Sequence, residues 1–166
     1  MENKLLQVNT VINSGSVGHI AEDLGKMVIA NGWESYIAYG RNPRESSSKK
    51  IRIGNDFSVI MHVLFTRLFD MHGVCSYFST KAFIKRLENV NPSIIHLHNI
   101  HGYYINYPLL FSWIAKKKIP VVWTLHDCWT YTGHCAYYSF PECEKWKEIC
   151  THCENKKKIS SLFFVC

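Results

Sequence analysis

The sequence predicts an α/β protein, an open sheet of parallel strands with helices on both faces. Three observations carry that prediction. Short apolar runs alternate with longer segments whose apolar residues recur at helical spacing, the signature of βαβ units. Polar residues collect where the apolar runs stop. The stretch from Ile94 to Cys135 reads IIHLHNIHGYY, a helical segment, then PVVWTLHDCWTYTGHC, and it holds His96, His98, His101, His126 and His134. A buried parallel strand is normally a plain Val/Ile/Leu run, and in an open α/β sheet the carboxyl edge of the strands is where ligands bind.

The elements follow in order. Lys4 to Asn9 reads as a short strand, and Thr10 to Gly18 as an Asn-, Ser- and Gly-rich loop. A helix then carries Val17, Ile20, Leu24, Met27 and Val28 near the spacing of one buried face, and Asn31-Gly32 ends it. Glu34 to Tyr39 is a second strand, closed by Gly40, and the polar stretch Arg41 to Lys50 reads as a mobile loop. Ile51 to Ile53 is a short third strand. Asn55 or Asp56 caps a helix in which Ile60, Leu64 and Leu68 repeat every four residues, and Gly73 breaks it. Ser79 caps another, with Phe83, Ile84 and Leu87 on its apolar side and Asn91-Pro92 as its stop. Ile94 to Leu97 is a strand. A helix over about Tyr103 to Lys118 turns Ile105, Leu109, Leu110, Trp113 and Ile114 inward, with three lysines suited to its negative end. Pro120 to Leu125 is the last strand, and beyond Asp127 the pattern dissolves into aromatics, cysteines and lysines. The sequence contains no internal repeat.

A chain of 166 residues can bury one substantial core, and 47% apolar with 19% charged residues argues against disorder. The amino-terminal MENKLLQVNT lacks the apolar region of a signal peptide, and no stretch approaches the ~20 apolar residues that span a bilayer. These features predict a cytoplasmic protein with its seven cysteines reduced. The net charge of +6 comes from clusters at Lys49 to Arg52, Lys116 to Lys118 and Lys156 to Lys158. Such clusters serve as solvated surface or attract an anionic membrane or phosphorylated ligands. No nucleic-acid-binding motif accompanies them.

Four groups of residues could carry chemistry. Asn13 to Gly18 (NSGSVG) lies between a strand and a helix start, where Gly15, Ser16 and Gly18 let backbone amides approach phosphate or sugar oxygens. It is neither the dinucleotide fingerprint nor a P-loop, and glycine in a tight turn is also plain structure. His98, Asn99, His101 and Tyr103 follow the Ile94 strand, and imidazole, amide and phenol groups suit sugar hydroxyls and ring faces. Alternation puts His96 and His98 on one side of that strand, with His96 read as a satisfied core histidine. His126 and Asp127 stand where the last strand leaves the sheet. A histidine there can bond a sugar or phosphate or shuttle a proton, while Asp127 orients it or caps a turn. Cys128 beside His126 lacks any family-type nucleophile signature. Finally, Cys135, Cys143, Cys150 and Cys153 are spaced C-x7-C-x6-C-x2-C. A structural zinc site, free thiols in an aromatic cluster and disulfides all stay open for them; four thiolates would leave a zinc ion no open position for catalysis.

The blocks NTVINSGSVGHIAEDL, IIHLHNIHGYYINYPLLF and PVVWTLHDCWTYTGHCAYY…CEKWK…CTHC resemble bacterial glycosyltransferases of family 4, of the type that builds exopolysaccharide, colanic-acid-like or O-antigen chains. The likeness runs from residue 4 to about residue 155. It implies the GT-B fold, two Rossmann-like domains facing each other across a cleft, with this chain the N-terminal, acceptor-side half. It further implies metal-independent, retaining transfer of a sugar from a nucleotide-sugar donor to a lipid-linked or growing saccharide acceptor. Gly15, Ser16 and Gly18 match the family's first loop, His126 the histidine that touches the donor sugar, and His98, Asn99 and His101 the neighbouring wall.

The family's donor-binding domain, with its paired glutamates, has no counterpart here. The chain therefore reads as a truncated product or one half of a split enzyme complemented by a separate C-terminal half, and as inactive alone. Peripheral contact with the inner face of the cytoplasmic membrane would suit a lipid-linked acceptor. The domain organisation expected is a Rossmann-like domain over 1–133, a Cys-rich segment over 134–158 and an atypical tail over 159–166. The competing reading is a non-catalytic zinc- or sugar-binding module derived from such a domain. A nicotinamide-dinucleotide domain fits poorly, because the glycine spacing is wrong and Tyr39-Gly40 stand where an acidic residue belongs.

Overall fold

The computed structural model describes residues 3–69, 71–132, 135–136 and 143–148. The chain divides into two compact units, Met1–Thr124 and Leu125–Cys166. The first holds a five-stranded sheet of β1 (Lys4–Asn9), β2 (Glu34–Tyr39), β3 (Lys49–Arg52), β4 (Ile94–Leu97) and β5 (Val121–Trp123), in the order β3-β2-β1-β4-β5 with every pairing parallel. This is the Rossmann-like α/β sheet that the sequence predicts. Strand order reverses at β1, which pairs with β2 on one side and β4 on the other, so the loops after β1 and β4 diverge at the switch point of the sheet.

The central strands form because both of their faces are covered. Leu5, Leu6 and Val8 of β1, Ile37 and Ala38 of β2 and Ile95 and Leu97 of β4 are all buried. Helix α1 (Gly15–Ala30) packs on β1 and β2, where Ile12, Ala21, Ile37 and Tyr39 form a core cluster. Its buried residues are Gly18, Ala21, Glu22 and Gly25. The apolar stripe read from the sequence points elsewhere, with Ile20 at 49% and Met27 at 57% exposure. Small side chains let the helix backbone approach the sheet closely. Glu22 is tolerated there because its carboxylate accepts from Ser46 Oγ at 2.5 Å and the Ser47 amide at 2.9 Å. Those bonds, with Asn13 Nδ2 donating to the Glu45 carbonyl at 2.9 Å, tie down the polar stretch expected to be mobile.

Helix α2 (Asp56–Phe69) buries a single residue, His62, so its four-residue apolar repeat faces outward. Helix α3 (Tyr77–Val90) begins a turn earlier than the Ser79 cap predicts, with Ser76 at its N-cap, and packs through Thr80, Phe83 and Leu87 against α4 (Tyr107–Lys117). Helix α4 starts four residues later than expected. Tyr103 has a left-handed φ of 60°, Asn106 caps the helix by accepting from the Leu109 amide at 3.0 Å, and Pro108 sits in its first turn. The described part of the second unit holds a short helix, α5 (Trp129–Thr132), and a single turn of 3-10 helix at Lys145–Lys147. No helix among the described residues is long and apolar enough to cross a membrane.

Tyr104 is fully buried against the backbone of Gly40, and a Cβ built on Gly40 would overlap the Tyr104 side chain. Gly40→Ala should therefore destabilise the chain by about 2 kcal/mol, read as a lower urea midpoint at unchanged slope. A variant as stable as the parent would show that the tyrosine yields without cost.

Candidate functional site

At the carboxyl edge of the sheet, Thr10 joins three strand ends. Its carbonyl accepts from the amides of Gly40 (3.1 Å) and Arg41 (3.0 Å), and its hydroxyl donates to the Asn99 carbonyl at 3.0 Å. Tyr104 donates its hydroxyl to the same Asn99 carbonyl at 2.9 Å. The loops after β1, β2 and β4 thus meet around one residue.

The first loop is shaped by two left-handed residues, Asn13 (φ 45°) and Gly15 (φ 63°). Asn13 Oδ1 bonds His19 Nδ1 at 2.8 Å, and Ser14 stands at the N-cap of α1 without a side-chain capping bond. Gly15 and Ser16 are exposed, while Gly18 is buried with its Cα against the Asn13 backbone. The loop therefore presents the first turn of α1 as backbone, an arrangement that accepts anions and sugar oxygens.

The histidines after β4 do two different things. His96 and His98 stack at 4.2 Å on one side of the strand. His96 Nε2 bonds Thr124 Oγ1 at 2.8 Å. His98 is only 2% exposed, and its Nε2 donates to Gln7 Oε1 at 3.1 Å, while Gln7 Nε2 donates to the Ala21 carbonyl at 2.8 Å. That chain runs from the end of β4 across β1 to α1, so His98 braces the sheet. Asn99 offers its carbonyl to the Thr10 and Tyr104 hydroxyls. His101 accepts through its carbonyl from His72 Nε2 at 2.9 Å. Tyr103 lies 5.0 Å from the His72 ring and 5.9 Å, edge-on, from His62.

Four contributors were not singled out in the sequence: Gln7, Arg41, His62 and His72. Their signals were faint: a lone amide inside an apolar strand, an arginine just past a strand-closing glycine, and two histidines in an otherwise apolar stretch. His62 accepts from the Gly73 amide at Nε2 (3.2 Å), which leaves the proton on Nδ1 for the Ser76 hydroxyl at 2.8 Å. Burial, reinforced by nearby His72, pushes its pKa down to about 4.

His126 and Asp127 belong to the second unit. His126 is half-buried, and burial lowers its pKa against the opposing pull of Asp127, so the ring is neutral at pH 7. Asp127 Oδ1 accepts from the Trp129 amide at 3.0 Å, the turn-capping role, and Cys128 donates its amide to the Ala136 carbonyl at 2.9 Å. Cys135 is buried beside Thr132, whose hydroxyl bonds its carbonyl at 2.6 Å, and Cys143 is half-buried. Cys150 and Cys153 lie outside the described residues, as does His134. Among the described residues no group of three or more His, Cys, Asp or Glu side chains could hold a metal ion.

The sequence profile described as Glycosyltransferase Family 4 matches residues 17–151 of the chain. The chain belongs to glycosyltransferase family 4. It is also similar to a protein of Escherichia coli (strain K12) that carries the name colanic acid biosynthesis glycosyl transferase WcaC, at 28% identity over 161 residues. That similarity takes in 90% of this chain and 39% of the relative, so the chain spans about two fifths of the curated protein it matches.

The buried His62 makes stability depend on pH. In the unfolded chain it binds a proton as pH falls below about 6.5, whereas in the fold it resists until about 4. Stability contributed by the neutral ring is therefore complete above pH 6.5 and is lost as pH falls from 6.5 toward 4, by about 3 kcal/mol in all. Urea midpoints across that range should drop steeply in the parent and less in His62→Gln; parallel curves would remove His62 as the cause.

Proposed function

We propose that this chain is the acceptor-side domain of a glycosyltransferase that moves a sugar from a nucleotide-sugar donor to a lipid-linked or growing saccharide acceptor, in surface polysaccharide biosynthesis. The observation that carries the reading is the family match over residues 17–151, on a chain whose first unit is a five-stranded parallel sheet. The name of the Escherichia coli relative supports the polysaccharide setting.

In this reading the chain is one half of a GT-B enzyme, and the donor nucleotide is held by a second domain. The first turn of α1, presented by Gly15, Ser16 and Gly18, supplies backbone amides to substrate oxygens. Tyr103, held at a left-handed φ, offers a ring face and a hydroxyl, with His101 and Asn99 completing the rim. His126, neutral at pH 7, bonds a hydroxyl of the transferred sugar, and Asp127 fixes the turn that carries it. Joined to the C-terminal domain of the relative, the chain should transfer sugar, and His126→Ala should lower turnover at least tenfold with folding intact. Absence of transfer in any such pairing would count against the reading, and unchanged turnover in the variant would remove His126 from the site.

The acceptor would be met at the inner face of the cytoplasmic membrane. Helix α2 supports this, since Phe57, Ile60, Leu64 and Leu68 stand 71%, 63%, 46% and 64% exposed along it. Its only acid, Asp56, is paired with Arg52. Helix α3 follows with Phe78 at 84% exposure and with Lys81, Lys85 and Arg86 exposed, a charge that complements anionic lipid. The chain should co-sediment with vesicles rich in phosphatidylglycerol and not with phosphatidylcholine alone, and Leu64→Glu/Leu68→Glu should stay in solution. Equal behaviour of parent and variant would dismiss the contact.

A further inference from the structure

Arg41 follows directly on β2, at the ligand-binding edge, and its surroundings do not neutralise it. Its backbone is fixed by the amide bond to the Thr10 carbonyl, and the preceding Gly40 is pressed against Tyr104. The side chain is half-buried, and among the described residues no carboxylate pairs with it and no side-chain hydrogen bond holds its guanidinium. The groups that face it electrostatically are the phenols of Tyr103 and Tyr104. Tyr104 has its hydroxyl engaged with the Asn99 carbonyl. Burial lowers the pKa of the guanidinium, which nevertheless stays charged at any physiological pH.

A half-buried guanidinium with no carboxylate against it among the described residues keeps its fork of donors for water or a ligand. Some cations of this unit lie against carboxylates: Lys49 and Lys4 with Glu34, and Arg52 with Asp56. Arg41 has no such carboxylate among the described residues, and its amide is fixed on Thr10, the residue that opens the loop leading to α1. The planar fork of arginine matches an oxyanion in bidentate fashion.

We infer that Arg41 forms a subsite for an oxyanion, the phosphate or carboxylate of an anionic acceptor. The word acceptor rests on the proposed function; the oxyanion contact does not. A phosphate would come from the lipid-phosphate end of an acceptor, and a carboxylate from a uronic acid unit within it.

Thermal unfolding of the 166-residue chain with inorganic pyrophosphate and with glucuronate, against sodium chloride of equal ionic strength, tests this. At about a hundredfold the dissociation constant, one of the two should raise the midpoint by roughly 5 °C or more. Arg41→Gln should lose that rise, and Arg41→Lys should keep a reduced one, because a point charge replaces the fork. A larger effect of pyrophosphate assigns the subsite to phosphate, and of glucuronate to a carboxylate. No rise with either anion, or a rise undiminished in Arg41→Gln, would overturn the proposal. Amide shifts on titrating the parent chain give an independent reading that needs no variant. Perturbations should centre on Thr10, Arg41, Asn99 and Tyr103, and perturbations confined elsewhere would also overturn it. Neither measurement involves sugar transfer, so failure of the transferase reading and failure of the subsite are separate results.

Discussion

The carboxyl edge of the sheet depends on how the Thr10 backbone and side chain are satisfied. A parallel sheet ends in unpaired amides and carbonyls on every strand, and each needs a partner when loops cover it. Here a single carbonyl takes two amides from the strand on one side, and the hydroxyl of the same residue reaches the chain leaving the strand on the other. Three loops distant in sequence are set by one residue. Gly102, whose Cα lies against the Thr10 side chain, leaves room for that arrangement. The backbone positions of Arg41 and Asn99 derive from it.

A second line of order runs below that edge. The bonds from His98 through Gln7 to the Ala21 carbonyl cross the sheet and reach α1, so a polar thread lies inside an otherwise apolar core. Such a thread is costly when broken and specifies one register when complete. It locks β4 to β1 in the alignment that pairs Gln7 with His96, which places the stacked imidazoles beneath the loop that carries Asn99 and His101.

Much of this was legible in the sequence, for reasons that differ by element. The bounds of β1 and β2 could be read because runs buried on both faces are bounded by Asn, Gly and charged residues. The buried face of α1 could not, because hydropathy favours Ile20 and Met27 over Gly18, Ala21 and Gly25, whose value lies in being small. The start of α4 was misjudged because apolar periodicity continues upstream of Asn106, while the left-handed Tyr103 and the capping amide stop the helix there. The first loop and the loop after β4 could be picked out together because a parallel sheet sends both to one edge. What each side chain does was not readable, since Gln7, which His98 bonds, lies 91 residues away and the surroundings of Arg41 are a property of the whole fold.

Helix α2 joins the rest of the molecule by an unusual attachment. Of its fourteen residues only His62 is fully buried, an imidazole bonded to a glycine amide and a serine hydroxyl, with Val59, Met61 and Val63 half-buried around it. Directional bonds therefore take a larger share in seating this helix than in the helices that bury apolar side chains. A surface that buries its apolar ridge would meet side chains that the core of the domain does not use.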